Sequence, residues 1–361
     1  MDQLTTLVTG ASGFLGQALM PRLAATNHRA LGLDVVPSAT AQEIDDLSDE
    51  SRLRALLADK RVGHVIHAGG VSGPMVLSDE PAKVIAINVM GSLNLLQASL
   101  AAGVKTFVYC SSVSAVGNYY EDEPIEDDYP LRPDSTYGCS KAAMDMVLRG
   151  LYQRVALDLC SLRFTAIYGP GRKTQFIVDK IVAAALTKTP AQLEPLTDWP
   201  YVYIDDAAEA AIAACFARGR KQLTYYVAHP DRVTPDDLAA ATAACGYPVR
   251  IATDATRKTS SRGPVDVHPA TDGMAVARGI SMMPSTCRNP SRDRNADTTN
   301  LTDCGRRWPC ATTNAVTSPA VRGSRLSLLL MPVRIRSSRN GRTIRAYSAA
   351  VVSAKPRSAV R

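Results

Sequence analysis

The sequence predicts an α/β protein built on a doubly wound parallel sheet, and three observations support this prediction. Short apolar runs alternate with amphipathic stretches of roughly 10 to 20 residues, which is typical of parallel strands joined by crossover helices. A glycine-rich turn, TGASGFLG, follows the first of these runs directly. The alternation continues to about residue 251 and then stops. We therefore expect a folded body followed by a segment of a different kind.

The apolar runs and the helical spacing of apolar residues predict the elements of the body in order. Continuous apolar runs, typical of strands buried on both faces, predict strands at 4–9, 30–36, 62–70, 105–112, 157–164, 201–206 and 223–229. Apolar residues at helical spacing predict helices from Phe14 and over 48–59, 82–102, 135–154, 176–186, 207–217 and 235–245. Thr234 is placed to N-cap the last of these helices.

The formal charge of +7 has its origin in the last part of the chain. Residues 1–250 hold 22 Lys and Arg against 28 Asp and Glu, a net charge of −6, whereas residues 251–361 hold 19 against 6, a net charge of +13. Of those 19 basic residues 17 are Arg, and the segment contains no Glu. Because the body is acidic, the overall charge does not predict a nucleic-acid partner.

Three interpretations of residues 252–361 remain open. A basic disordered arm would explain the charge, and a degenerate substrate lobe would explain the position. Out-of-frame translation of GC-rich coding sequence would explain a composition rich in Arg, Ser, Pro, Thr and Ala that shows no periodicity, and the composition favours it. We expect a tail without a recognisable fold, behind a domain over 1–165 and an incomplete substrate lobe over 166–251 that is interleaved with the last core strands.

The cysteines and the apolar runs indicate in which part of the cell the protein is expected. The eight cysteines show no CxxC spacing and no clustered His, which indicates reduced thiols and no metal site. The first apolar run leads straight into the glycine-rich turn, so no signal peptide is predicted. The longest late run, LSLLLMPV, is too short to cross a bilayer. We expect a cytoplasmic protein without a membrane partner.

Gly10, Gly13 and Gly16 follow a strand and open a helix, which predicts a phosphate-binding turn of the Rossmann type. The first glycine permits the tight turn, the second lets main chain approach a pyrophosphate, and the third lets the helix pack close to the strand. Phe14 and Leu15 are the first helical residues, and the positive end of the helix favours phosphate at their amides.

Asp34 predicts which dinucleotide binds at this turn. It lies at the end of the second strand, where the hydroxyls of the adenosine ribose are held in such folds. No Arg follows Asp34 to meet a 2′-phosphate. The sequence therefore predicts NAD rather than NADP as the cofactor.

Tyr137 and Lys141 lie four residues apart and so share one face of a predicted helix. A cation beside the phenol lowers its pKa, which would make Tyr137 a base near neutral pH. The preceding strand and its continuation, YCSSVSAVG, supply hydroxyls that include Ser112. These residues indicate proton transfer to or from a substrate hydroxyl.

With these motifs in order, residues 4–250 resemble the extended short-chain dehydrogenase/reductases, the NAD-dependent epimerase/dehydratase family. The matching segments are TGASGFLG, Asp34, Asp46-Leu47, VIHAGG, INVMGSLNLLQA, FVYCSSVSAVG, YGCSK, LRFTAIYGPG and VYIDDAAEA. The resemblance implies that the three glycines bind the pyrophosphate, that Asp34 binds the ribose, and that Asp46 and Leu47 bind the adenine.

The resemblance also implies a catalytic triad of Ser112, Tyr137 and Lys141, supported by Asn88 from a neighbouring helix. Tyr137 would exchange the proton of a secondary hydroxyl while hydride moves between that carbon and NAD. Tyr137 and Lys141 would both contact the cofactor, with Lys141 holding the nicotinamide ribose. The implied substrate is a sugar, sugar acid or polyol, and helix 135–154 commonly forms a homodimer interface in this family.

Two departures from the family pattern bear on the substrate. Ala166 and Trp199 stand where nucleotide-sugar enzymes of the family usually carry Asn and Arg, which argues against a nucleotide sugar. Val113-Ser114 replaces the Asp-Glu pair of the dehydratases, so dehydration is disfavoured. A nucleotide-sugar 4-epimerase and a non-catalytic dinucleotide-binding protein remain alternatives. Arg172 and Lys173 are candidates to meet a substrate anion.

Three further residues have simpler interpretations. His67 ends a strand, and we expect it to be a packed structural histidine. Cys110 and Cys139 flank the site without a His partner, so we expect them to fill the core rather than act as nucleophiles.

Overall fold

The computed structural model describes residues 4–26, 28–117, 130–174, 176–193, 201–220, 222–228 and 233–253, and the backbone of three strands within 281–351. The helices are α1 (Phe14–Ala25), α2 (Glu50–Asp59), α3 (Pro81–Ile85), α4 (Ser92–Ala101), α5 (Thr136–Leu151), α6 (Ile177–Thr187), α7 (Ile204–Phe216) and α8 (Pro235–Ala244). A π-helical turn, Ala86–Gly91, joins α3 to α4, and a short 3₁₀ turn, Val113–Ala115, follows β5.

The strands are β1 (Thr5–Thr9), β2 (Ala30–Asp34), β3 (Glu43–Ile44), β4 (Val62–His67), β5 (Thr106–Ser112), β6 (Asp158–Phe164), β7 (Ile167–Tyr168), β8 (Ala191–Leu193), β9 (Val202–Tyr203), β10 (Thr224–Ala228), β11 (Ile251–Thr253), β12 (Ser281–Pro284), β13 (Leu328–Arg336) and β14 (Thr343–Val351). The main sheet has the order β12-β10-β6-β5-β4-β1-β2-β3. All of its pairs are parallel except that of β12 with β10. The predicted doubly wound parallel sheet is confirmed.

Two apolar clusters cover the two faces of this sheet. Alternate residues of each strand point to opposite faces, so Val8, Ile66 and Val108 belong to one cluster, together with α1 and α7. Leu7 and its counterparts on the neighbouring strands belong to the other cluster, with α2, α4 and α5. Because both faces are covered, the strands are continuous apolar runs, which is why they could be predicted.

A smaller apolar cluster forms the lobe beside the sheet. It is built from α6, β8 and the residues around them, with Ile177, Ile181 and Leu193 at its centre, and residues of α8 and β11 pack against it. Thr234 N-caps α8 as expected, in a capping box with Asp237. The tail strands β13 and β14 pair with each other, and the rest of the predicted tail lies mostly outside the described residues.

One predicted boundary was wrong, and one predicted helix has the expected bounds but is irregular inside them. The segment YVYIDD was expected to end a strand, but β9 has only two residues and α7 begins at Ile204. Asp205 and Asp206 lie in the first turn of α7, where carboxylates interact favourably with the helix dipole, and Asp205 forms a 2.6 Å ion pair with Arg22. The helix predicted over 82–102 is interrupted by the π-helical turn.

The run Pro81–Ala101 is the one helical stretch of the described residues that is long and apolar enough to cross a membrane. Half of its most apolar window is buried inside the protein. Leu95, Leu96 and Ala98 belong to the core cluster on one face of the sheet. These contacts are those of a core helix, which passes the same length and composition test.

The glycines of α1 and α5 make a matched stability test. A Cβ at Gly16 would lie 2.1 Å from the carbonyl oxygen of Gly10 and 2.6 Å from Cα of Ala11, whereas a Cβ at Gly150 would meet nothing within 4 Å. We expect Gly16→Ala to lower the free energy of unfolding by about 3 kcal/mol, as overpacking does. Gly150→Ala should raise it by about 0.5–1 kcal/mol through helix propensity. Urea denaturation measures both, and equal effects would contradict the close approach of α1 to the turn at Gly10 and Ala11.

Candidate active site

The site lies where the chain leaves the carboxyl ends of β1 and β4, which are neighbours in the sheet. The helix after β1 and the helices after β4 cover opposite faces, so a crevice opens between the two loops. The two loops touch through main chain, because a Cβ at Gly10 would lie 2.6 Å from Cα of Gly69. Gly10 has φ +69°, a conformation that favours glycine.

The amino end of α1 fits the pyrophosphate of a dinucleotide. Gly13 is the N-cap and has no side chain with which to cap the helix, and the first turn contains no acidic residue. No side chain caps the first amides of the helix, at Phe14 and Leu15, so this helix end suits an anion. Gly16 lets this helix end lie against the turn, as described above. The structure thus gives the five predicted residues the arrangement that phosphate binding needs.

Asp34 ends β2 with both carboxylate oxygens held by main chain. Oδ2 accepts a hydrogen bond from the amide of Ser12 at 2.9 Å, and Oδ1 accepts one from the amide of Val36 at 2.9 Å. A carboxylate fixed beside the phosphate-binding turn fits the ribose hydroxyls of NAD and repels a 2′-phosphate.

Asp46 and Leu47 lie in the loop between β3 and α2. The Asp46 carboxylate accepts hydrogen bonds from the amide and hydroxyl of Ser48, at 2.8 and 2.6 Å, and these bonds lower the pKa of Asp46. The Asn94 amide holds the loop by donating to the carbonyl oxygens of Leu47 and Ser48, both at 2.9 Å. The loop is therefore preorganised, and its predicted contact with adenine stays a prediction.

Tyr137 and Lys141 lie one turn apart on α5, and Ser112 lies at the end of β5. Ser135 caps the helix by accepting the amide of Gly138 at 3.2 Å, which fixes the turn that contains Tyr137. The Tyr137 hydroxyl is hydrogen-bonded to Ser112. Lys141 is buried beneath them, with Nζ 5.9 Å from the centre of the Tyr137 ring. The structure brings the three predicted catalytic residues together.

The Lys141 ammonium is held by β5 rather than by the phenol. Nζ donates to the carbonyl oxygen of Cys110 at 2.9 Å and lies 4.7 Å from the centre of the Tyr109 ring. Burial lowers the pKa of Lys141 to about 8. A cation with this pKa remains mostly protonated at neutral pH, and it is already desolvated.

The prediction that the pKa of Tyr137 lies below its ordinary value was wrong. The pKa of Tyr137 is raised, because burial outweighs the interactions that favour the phenolate. The interactions that lower this pKa are the hydrogen bond to Ser112 and the charge of Arg172. The sequence spacing correctly predicted that Tyr137 and Lys141 lie together. It could not predict whether desolvation or nearby charge decides the direction of the Tyr137 pKa.

Arg172 is the residue that sequence reasoning underestimated. It was expected only as a possible contact for an anion, yet its charge acts on Tyr137. Its guanidinium is held in place by the carbonyl oxygen of Ile167 and by Thr174, whose carbonyl and hydroxyl oxygens lie 3.2 and 3.1 Å from Nε. It also lies over the Phe176 ring, 4.4 Å from the centre. No local pattern relates Arg172 to Tyr137, because the fold alone brings them together.

Asn88 supports the site from the π-helical turn, as expected. Its Oδ1 accepts the amide of Val71 at 2.7 Å, and its Nδ2 donates to the carbonyl oxygen of Val71 at 3.1 Å and to the Ser140 hydroxyl at 2.9 Å. Val71 begins the loop VSGPMV that borders the crevice, and Ser140 lies on α5 beside Lys141. Asn88 therefore joins this loop to the catalytic helix.

Three residues with simple interpretations have different outcomes. His67 is 1% exposed and hydrogen-bonded through both ring nitrogens, which confirms a packed structural histidine. Cys110 is buried, and burial raises its thiol pKa to about 12, as befits core filling. Cys139 is exposed, so the expectation that it fills the core was wrong. Its position on the outer side of the first turn of α5 accounts for the exposure.

Some predicted features fall elsewhere. Trp199 lies outside the described residues. Ala166 is partly buried and packs against the cluster of the small lobe. Within the described ranges, His, Cys, Asp and Glu form no group of three that would hold a metal ion.

The fold and this constellation define an NAD-binding enzyme of the short-chain dehydrogenase/reductase type. The chain belongs to the NAD dependent epimerase/dehydratase family, whose model matches residues 6–228. The expected family, fold and cofactor class are thereby confirmed.

The chain is similar to UDP-glucose 4-epimerases and to uronate dehydrogenases. The chain is 27% identical over 230 residues to UDP-glucose 4-epimerase of Mycolicibacterium smegmatis, covering 58% of this chain and 73% of that one. It is 32% identical over 163 residues to uronate dehydrogenase of Pseudomonas putida, covering 44% and 59%. Thermus thermophilus UDP-glucose 4-epimerase, solved in complex with NAD, matches with a TM-score of 0.60 and 28% identity over 70% of this chain and 88% of that chain. The chain spans less than two thirds of the Pseudomonas enzyme.

The charge of Arg172 gives a prediction that needs no substrate. Arg172→Gln removes a cation that favours the phenolate, so the pKa of Tyr137 should rise. The difference in ultraviolet absorbance between the protein and its Tyr137→Phe variant, followed against pH, reports the ionisation of Tyr137. The exposed neighbour gives the control, and Lys173→Gln should leave this pKa unchanged. An equal shift in both variants would indicate a general charge effect rather than a specific one.

Proposed function

We propose that this chain catalyses NAD-dependent hydride transfer at a secondary hydroxyl of a sugar acid, sugar or polyol, with Tyr137 as acid and base. One observation carries the proposal: the Tyr137 hydroxyl bonded to Ser112, with the buried ammonium of Lys141 behind the ring. This arrangement holds a proton acceptor, a hydrogen-bond partner for the substrate oxygen, and a cation in one place.

Each residue has a defined task in this reaction. Tyr137, once deprotonated, takes the proton of the substrate hydroxyl, and in the reverse direction it returns that proton. Ser112 donates a hydrogen bond to the same oxygen and keeps it within reach of Tyr137. Lys141 places a buried ammonium beside the Tyr137 ring and would hold the nicotinamide ribose when NAD is bound. NAD, when bound at the turn of Gly10 and Asp34, supplies hydride acceptance from the carbon that bears the hydroxyl.

The surroundings of Tyr137 favour a small acidic substrate. Arg172 lies close enough to Tyr137 to lower its pKa and is half-buried, so its charge is partly desolvated. Such a guanidinium fits a carboxylate of the substrate. Ala166 offers no amide or charge for the nucleotide half of a nucleotide sugar. A uronate dehydrogenase among the relatives agrees with this substrate class.

A nucleotide-sugar 4-epimerase is the second candidate. The relative with the longest alignment reported above is a UDP-glucose 4-epimerase, and the NAD-bound structure from Thermus has the same activity in its name. The same triad would serve, because an epimerase returns the hydride to the opposite face of the oxidised carbon.

One assay separates these candidates. Purified protein is incubated with NAD and a panel of hexuronic acids, aldoses and polyols, and NADH is followed by its absorbance. We expect NADH from at least one acid of the panel, and Tyr137→Phe should lower kcat by about 10²- to 10⁴-fold while leaving the Kd for NAD unchanged. Absence of NADH together with interconversion of UDP-sugars would favour the epimerase. Retention of activity by Tyr137→Phe would refute the proposed acid and base.

We propose that the enzyme is cytoplasmic and has no nucleic-acid or membrane partner, since the catalytic body is acidic and its one long apolar helix belongs to the core. We propose further that it forms a homodimer through α5 and the helical run 81–101. These adjacent helices expose Ile85, Ile87, Met90 and Met146, by 37, 38, 52 and 54%. A shared apolar face of this kind is typical of an interface between copies.

The dimer is tested by sedimentation velocity at micromolar concentration. Met90→Glu combined with Met146→Glu should convert the dimer to a monomer, because a desolvated carboxylate in the interface is unfavourable. Met75→Glu is the control, since Met75 is 67% exposed in the loop before α3 and belongs to neither helix. A monomer before any substitution, or dissociation by Met75→Glu alone, would contradict this interface.

A further inference from the structure

We propose that His67 is a positioning residue that joins the phosphate-binding turn to the catalytic helix through a chain of hydrogen bonds that runs from Thr9 to Ser92 and, across the residue Asn88, to Ser140 on the helix. Its Nδ1 lies 2.6 Å from the Thr9 hydroxyl, and its Nε2 lies 2.7 Å from the Ser92 hydroxyl. Thr9 directly precedes Gly10, and Ser92 directly follows the π-helical turn. His67, Thr9 and Ser92 are all buried.

The donors and acceptors of this chain can be assigned in only one direction. The single hydroxyl proton of Ser92 is donated to the carbonyl oxygen of Asn88 at 2.6 Å, so Ser92 must accept from Nε2–H of His67. Nδ1 then carries no proton and accepts from the Thr9 hydroxyl. The Thr9 oxygen accepts in turn from the amide of Gly69 at 3.2 Å. Burial keeps the ring neutral, with a pKa of about 3, which this assignment requires.

The first end of the chain fixes the phosphate-binding turn. Gly69 lies against Gly10, since a Cβ at Gly69 would be 3.1 Å from the Gly10 nitrogen and 3.1 Å from the Thr9 hydroxyl oxygen. The carbonyl oxygen of Thr9 also accepts the amide of Ala68 at 3.3 Å. A displacement of the Thr9 hydroxyl would therefore displace the main chain on which the pyrophosphate rests.

The second end fixes Tyr137. The carbonyl group that Ser92 holds belongs to Asn88, whose side chain bonds to Ser140 as described above. The Ser140 hydroxyl donates to the carbonyl oxygen of Tyr137 at 2.7 Å. Loss of the Ser92 hydroxyl would leave the Nε2–H group of His67 without its acceptor in the interior. NAD binding and the position of Tyr137 should consequently be coupled.

The two ends allow a reciprocal test on the full chain, with matched controls. Ser92→Ala alters the helix end, yet we expect it to weaken NAD about fivefold or more by calorimetry, since coupling energies of this type have that size. Ser99→Ala is the control: Ser99 is also buried on α4 and also donates to the carbonyl oxygen four residues earlier, that of Leu95, at 2.6 Å. Ser99→Ala should leave the Kd for NAD within about twofold, within the usual scatter for uncoupled sites.

The converse substitution alters the turn and is read out at the helix. Thr9→Val should raise the pKa of Tyr137, measured by the difference titration described above, because the hydrogen bond from Ser112 that lowers this pKa is less well aligned. Thr5→Val is the control. Thr5 lies on β1 with Thr9, and its hydroxyl donates to the carbonyl oxygen of Lys60 at 2.7 Å, outside the chain of hydrogen bonds described here. Neither readout needs a substrate, so failure of the proposed reaction would leave this test intact.

Direct observation of the ring completes the test. Long-range ¹H–¹⁵N spectra of histidine-labelled protein should show His67 as the neutral tautomer protonated at Nε2. The proposal is overturned if Ser92→Ala has the same Kd for NAD as Ser99→Ala, or if His67 carries its proton on Nδ1. Because Ser92→Ala only removes one hydroxyl, it decides the matter even if variants of His67 itself fail to fold.

Discussion

The buried ion pair between Asp145 and Arg163 is the interaction on which the geometry of the site depends. Arg163 Nε donates to Asp145 Oδ2 at 2.7 Å, and the two side chains are only 6 and 3% exposed. The Ser161 hydroxyl donates to the other carboxylate oxygen at 2.6 Å, and Arg163 also donates to the Tyr226 hydroxyl at 2.8 Å. Separating two charges buried this deeply would leave each without compensation, so α5 has one position on β6.

The position of α5 determines that of the catalytic groups. Asp145 lies one helical turn beyond Lys141, which lies one turn beyond Tyr137, so the three share one face. Fixing Asp145 on β6 places Lys141 against β5, where the carbonyl oxygen of Cys110 accepts a hydrogen bond from its ammonium. The charge of the Asp145 carboxylate raises the pKa of Lys141 and so offsets part of the decrease in this pKa that burial causes. The ion pair thus acts on both the position and the charge of the site.

The cofactor half of the molecule was predictable because its determinants are local. A strand followed by Gly10, Gly13 and Gly16 predicts one kind of turn, the phosphate-binding turn. The spacing of four residues between Tyr137 and Lys141 predicts that they share a helix face. The π-helical turn was not predictable, since it depends on what Asn88 reaches across the fold. Nor were the direction of the Tyr137 pKa and the contribution of Arg172, because desolvation and distant charges arise only when the elements pack.

The cofactor side and the substrate side of the site are under different physical constraints. The geometry of the dinucleotide side depends on main-chain segments that lie so close together that a Cβ at Gly10 or Gly16 would clash. Few sequences are compatible with it. The proposed substrate side depends on side chains from the second half of the chain, where Arg172 lies over the Phe176 ring. Asp179 is also there: burial raises its pKa, and the charge of Arg172 lowers it. A guanidinium and a half-buried carboxyl at this position can be exchanged without disturbing the sheet or α5. Because the charge of Arg172 also lowers the pKa of Tyr137, an exchange at this position would keep the sheet and α5 in place but would alter the basicity of Tyr137.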